Sequence, residues 1–187
     1  MSNTRKYILT PQVNNIGRKI LPACAVMWAV LGTLQLTAAA DDTQAKRGKY
    51  RGKYIVSIAG CGDCHTPGYL LGKPDISRSL GGSEVGFEIP GLGVFYGPNL
   101  TPDNETGLGK WTNDEIITAL QTGKRPDGRE LAPIMPWRNF ANFTSEDAQA
   151  IAAYLKSLPP LTNKVPGPFG PTDKPTSFVM KVVPPGN

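Results

Sequence analysis

The sequence predicts an all-α fold, with a few helices wrapped with long loops into a single domain. Two segments, 112–123 and 144–158, combine helix caps with apolar residues at helical spacing, and a third with the same spacing ends just before Cys61. Convincing strand patterns are scarce. Gly and Pro number 21 and 18 in 187 residues, high for an ordinary helical domain, so long irregular stretches are expected between the helices.

Taken in chain order, residues 1–40 read as a signal peptide. Arg18 and Lys19 precede the apolar run Ala23–Leu36, and small residues follow at Ala38, Ala39 and Ala40. A basic region, a short apolar region and an A-x-A ending are the parts of a secretory leader, with cleavage expected after Ala40. The alternative is an uncleaved anchor over 20–40, which Gly32, Thr33, Gln35 and Thr37 weaken. A lipoprotein reading of "LPAC" fails because the apolar run follows Cys24. The leader also explains the net charge of +5. Without Arg5, Lys6, Arg18 and Lys19 the chain has 16 basic against 15 acidic residues, so nothing supports nucleic-acid binding.

The domain proper is expected over 41–158. Its first helix carries Tyr50, Tyr54, Ile55 and Ile58 at helical spacing. The next marked helix opens at Thr112 with Glu115 completing a capping box, carries Ile116, Ile117 and Leu120, and stops at Gly123. The last starts at Thr144 with acids in its first turn. It places Ala148, Ile151, Ala152 and Leu155 on one face and ends before Pro159. Residues 159–187 read as a Pro-rich arm lying on the surface.

The chemistry lies in "IAGCGDCHTPG", 58–68, where Cys61 and Cys64 stand three apart and His65 follows directly. With Cys24 leaving in the leader, these are the two cysteines of an exported chain. Zinc needs three or four ligands, and with one histidine in the chain no second ligand cluster exists. A thioredoxin-type dithiol needs strands on either side of C-x-x-C. Here a helical pattern lies upstream and a Gly/Pro-rich stretch downstream. C-x-x-C-H is the attachment signal for a c-type haem. Two thiols at this spacing reach the two vinyl groups on one porphyrin edge, and the histidine lies under the iron.

An electron carrier needs a second axial ligand, usually His or Met. His65 is the sole histidine, and outside the leader Met135 and Met180 remain. Met180 sits in a Pro-rich tail, whereas Pro133 and Pro136 stiffen the segment around Met135, which is therefore the favoured thioether ligand. The stretch 66–110 reads as one long loop, acceptable where a haem supplies the core. Tyr96, Asn99 and Trp111 are candidates to contact the haem edge, with ordinary packing the equal alternative for each.

The segments "GKYIVSIAGCGDCHT", "YGPNLTPDNETGLGKWTNDEIITAL", "DGRELAPIMPW" and "FTSEDAQAIAAYLKSLPP" resemble the class I c-type cytochromes over about 48–158. Within that class they look like the haem modules in cytochrome c subunits of bacterial membrane-associated alcohol, aldehyde and gluconate-type dehydrogenases. The resemblance implies a cytochrome c fold with Cys61, Cys64, His65 and Met135 in the ligand positions. Such subunits often carry three modules, where this chain has one C-x-x-C-H. The expected function is that of a periplasmic monohaem c-type cytochrome, an electron carrier and not an enzyme. Its expected partners are a dehydrogenase donor and a respiratory acceptor, with membrane association through an uncleaved leader or a complex. The alternative is a haem enzyme of peroxidase or sulfur-compound oxidase type, which needs a labile distal ligand.

Overall fold

Helix caps and helical periodicity account for three of the helices in the computed structural model, which describes residues 43–186. The leader read over 1–40 lies outside the described residues. Residues Asp42–Asn187 cluster as one compact unit.

Helix α1 spans 43–58, and its inward face is Gly52, Ile55 and Val56. A Cβ on Gly52 would collide with the Ala150 carbonyl, and Tyr154 Cβ would lie 2.7 Å away. The missing side chain therefore sets how closely the α1 backbone approaches the last helix. That contact turns Tyr50, Tyr54 and Ile58 outward, to 76%, 57% and 64% exposure, and of the expected apolar stripe only Ile55 is buried. A five-residue helix, α2 (Cys61–His65), follows after a left-handed Gly60.

Helix α3 (Asn113–Thr122) has the expected capping box. The Glu115 N–H donates to Thr112 Oγ1, and the Thr112 N–H donates to the Glu115 carboxylate. Gly123, at φ 74°, ends it. A short helix α4 (Trp137–Phe140) precedes α5 (Ser145–Lys156), where Thr144 Oγ1 accepts from the Asp147 N–H. The α5 face is the one expected, with Ala148, Ile151, Ala152 and Leu155 buried. These residues join Ile55, Val56, Leu80, Leu108 and Ile116 in the core.

The all-α expectation is corrected by a three-stranded mixed sheet. Strands β1 (Val85–Ile89) and β2 (Gly93–Tyr96) form an antiparallel hairpin, with Gly86 opposite Tyr96 and Ile89 opposite Gly93. The turn has Pro90 and a left-handed Gly91 at its centre, closed by the Leu92 N–H on the Ile89 carbonyl. This is the chemistry of a type II turn. Strand β3 (Phe178–Met180) lies parallel to β1, giving the order β2-β1-β3. Two short β-branched and aromatic runs around a Pro-Gly turn thus lie inside the stretch read as loop.

The Pro-rich arm closes that sheet and is tied down along its length. Phe169 exchanges two backbone bonds with Val94, and its ring meets Tyr96 edge to face at 6.0 Å. Ser177 Oγ donates to the Glu84 carbonyl, and Asn163 Nδ2 to the Gly81 carbonyl.

Candidate haem-binding site

Both thiols and the imidazole sit on the single helical turn of α2. Cys61 and Cys64 are free and half-buried, and His65 is buried. Burial pushes the Cys61 thiol up to about 11 and raises Cys64 as well, with Asp63 adding to both. A redox dithiol needs a thiolate at neutral pH, held by a lowered pKa. With both raised, neither thiol has the lowered pKa of a redox dithiol.

The imidazole is fixed by the strand exit that follows β2. His65 Nδ1 lies 2.7 Å from the Pro98 carbonyl oxygen. A carbonyl accepts only, so Nδ1 carries the proton and Nε2 keeps its lone pair for a metal. Burial lowers the His65 pKa, against the opposing pull of that bond, and keeps the ring neutral. Gly97 makes the contact close: a Cβ there would overlap the Cys64 carbonyl and lie 3.4 Å from His65 Nδ1.

The chain beyond the histidine is fastened to the same place. The Gly82 N–H donates to the His65 carbonyl, and Thr66 Oγ1 accepts from the Leu80 N–H. Leu80 takes φ 63° within the core, a strained left-handed conformation for a branched side chain. The Glu84 carboxylate accepts from the Gly68 N–H at 2.9 and 3.1 Å.

The three candidates for the haem edge have separate surroundings. Asn99 is fully buried, and its amide donates to Thr106 Oγ1 at 3.0 Å and to the Leu161 carbonyl at 2.6 Å. Its Oδ1 accepts from the Thr101 N–H and hydroxyl. Both amide hydrogens are thereby taken by the protein, leaving none for a haem propionate. The Tyr96 hydroxyl is directed to the Ser177 carbonyl of the arm. Trp111 is half-buried against the core, with the Arg125 guanidinium 5.2 Å above its ring.

Met135 sits half-buried in a turn between hairpin 124–130 and α4. Its N–H donates to the Ala132 carbonyl, and its own carbonyl accepts from the Trp137 N–H. The Trp137 ring seals this segment onto the end of α3, where a Cβ on Gly123 would come 2.6–2.8 Å from the indole. Met180, the other methionine of the body, stands on β3 beside Phe87 of β1.

Sequence reasoning reached the segment 96–99 but singled out Tyr96 and Asn99, where Gly97 and Pro98 make the contacts to the motif helix. It also missed Lys156, whose Nζ donates to the carbonyls of Leu108, Gly109 and Trp111 at 3.2, 2.8 and 2.8 Å. A lysine in the last turn of a helix is a common cap signal, but nothing local says that it reaches another loop.

A ligand-ready imidazole beside two free thiols, on one turn held by a backbone carbonyl, is the donor set of a covalent c-type haem site, and these residues fit that group. A family model for cytochrome c matches residues 50–159. The chain belongs to the cytochrome c family, and a covalent haem c is implied. Among similar proteins, the cytochrome c subunit of the quinone alcohol dehydrogenase of Gluconobacter oxydans is 33% identical over 80% of this chain and 29% of its own length. The gluconate 2-dehydrogenase cytochrome c subunit of Pantoea cypripedii is 33% identical over 70% of this chain and 28% of its own. The fructose dehydrogenase cytochrome subunit of Gluconobacter japonicus is 32% identical over 58% of this chain and 22% of its own. The chain thus spans less than a third of the length of these relatives. Together with the family match, these relatives support an electron-transfer cytochrome.

Proposed function

We propose that this chain is an exported monohaem electron carrier that takes single electrons from a dehydrogenase in the periplasm and passes them to a respiratory acceptor. The observation that carries the proposal is the 2.7 Å contact between His65 Nδ1 and the Pro98 carbonyl, which presents Nε2 on the turn that holds both thiols. Cys61 and Cys64 would hold the haem by thioethers, and His65 would be its proximal ligand. Met135 would be the distal ligand, because its segment is stiffened by Pro133 and Pro136 and clamped through Trp137. With both axial positions filled, a haem supplies one-electron chemistry and no open site for substrate. Asn99 and Trp111 would be the candidates for the haem edge, with the Asn99 amide already engaged by Thr106 and Leu161.

Export is supported by the leader pattern over 1–40, and a dehydrogenase donor by the names of the relatives. The test is visible absorption of the chain matured with a haem-attachment system, oxidised and reduced, beside the same spectra for Met135→Ala. A c-type reduced spectrum with a far-red sulfur-to-iron band that vanishes in the variant is expected. Haem without that band would make Met135 a packing residue and open the site to catalysis. Absence of haem would return the cysteine pair to dithiol chemistry.

A further inference from the structure

Residues 41–187 are nearly neutral, yet five cations crowd their first helix. Lys46, Arg47, Lys49, Arg51 and Lys53 lie within eight residues of α1. Burial of Gly52, Ile55 and Val56 fixes which way the helix faces. With 100° per residue, Tyr50 falls at the centre of the outward face, and Tyr54 and Ile58 continue from it as a stripe. Lys46 and Lys53 flank the stripe on one side with Lys49 further round toward α5, Arg51 flanks it on the other, and Arg47 falls in line with Tyr54 and Ile58. Arg51 is engaged with Asp147 at 2.8 Å. The lysine flank borders a groove between α1 and α5 lined by Lys46, Lys49, Tyr50, Lys53, Tyr154 and Ser157.

We infer that this face of α1 rests on an anionic phospholipid surface, with Tyr50, Tyr54 and Ile58 at the headgroup boundary and the three lysines among the phosphates. Two observations point to a bilayer. An aromatic and aliphatic stripe with cations beside it is the pattern of an interfacial helix. The helix also follows directly, in sequence, on the basic and apolar segment 18–36, so a retained leader would deliver it to a bilayer. Among the described residues no helix is long and apolar enough to cross a membrane. With its five cations, α1 would lie along such a surface and not through it. Each lysine near such a surface contributes about fivefold in partitioning at low salt.

The test is lysine acetylation of the full haem-loaded chain, read residue by residue by mass spectrometry. It compares vesicles of phosphatidylcholine with vesicles containing phosphatidylglycerol, at low and high salt. Lys46, Lys49 and Lys53 should be protected several-fold by the anionic vesicles alone, and Lys110 and Lys181 should not. High salt should remove the protection, as should Tyr50→Ser with Tyr54→Ser in one chain whose haem spectrum is unchanged. Equal labelling on both vesicles would overturn the inference, and so would protection spread evenly over all lysines, the mark of a tether alone. Protection by inorganic phosphate without lipid would make the groove a free-anion site. Protection by an acidic polypeptide but not by vesicles would make the face a protein dock.

Discussion

At the scale of single residues, the site depends on side chains that spend their hydrogen bonds on backbone. His65 gives its Nδ1 proton to the Pro98 carbonyl, and Asn99 ties the loop after it to Thr106 and Leu161. Lys156 gathers three carbonyls from 108–111, the stretch that carries Trp111. Hydrogen bonds to a charged group contribute about 1.5–3 kcal/mol, against about 1 for neutral pairs. Lys156→Met keeps the aliphatic stem and strips the half-buried Gly109 and Trp111 carbonyls of this donor, while the Leu108 carbonyl keeps the Trp111 N–H. It should destabilise the chain by about 2 kcal/mol, read as a lower urea midpoint at unchanged slope. A midpoint equal to wild type would mean that water replaces the ammonium without loss.

At the scale of elements, the α1–α5 crossing is decided by one missing side chain. Gly52→Ala sets two effects against each other. Alanine gains about 1 kcal/mol of helix propensity over glycine. Its Cβ, however, meets the Ala150 carbonyl and Tyr154 Cβ, and backbone cannot step aside as a flexible side chain can. Overpacking of that kind costs about 1–3 kcal/mol, so the sign should be net destabilisation, with a lower thermal midpoint. A rise in the midpoint would show that the helices separate freely at this point. The sheet has the same dependence on contacts far apart in the chain. β1 is flanked by β2 from its own hairpin and by β3 from the arm, which pairs Val85 with Phe178.

At the scale of the whole molecule, the charged surface fixes how folding responds to acid. Asp127 is held down to about 2, chiefly by hydrogen bonds from Arg129 and with Arg125 alongside. Thr106 lowers Asp103, Arg51 lowers Asp147, and Ser77 lowers Asp75, each mainly through side-chain hydrogen bonds. A folded value below the unfolded one, about 3.9, means that the unfolded chain binds more protons in between. The stabilisation is therefore complete above about pH 4 and is lost as pH falls through each folded value. Solvent screening keeps each contribution small at these exposed positions. Carboxyl-carbon NMR titration should place the Asp127 midpoint at about 2 and the other three below the usual aspartate range. Midpoints at the ordinary value would remove the pairs as a source of acid sensitivity.

The sequence by itself determined what is made within a few residues. The C-x-x-C-H turn, the Thr112–Glu115 capping box, the Thr144 cap and the buried face of α5 all come from neighbours within one or two helical turns, and each is where the pattern put it. What only the tertiary structure decided lies in pairs far apart along the chain. Pro98 meets His65 across 33 residues, Leu161 takes the Asn99 amide across 62, and Lys156 reaches the loop at 108 across 48. The same distance hid the sheet, because β1 and β2 are short and β3 is three residues of a Pro-rich arm. It also hid which side of α1 faces water, since an apolar tyrosine stripe and a glycine face have equal claim on the core until α5 arrives and only the glycine side allows close approach. Caps and helical periods are local energies that a sequence displays. Closing a long loop stabilises nothing until both ends are in place, and the residues at one end carry no mark of the other.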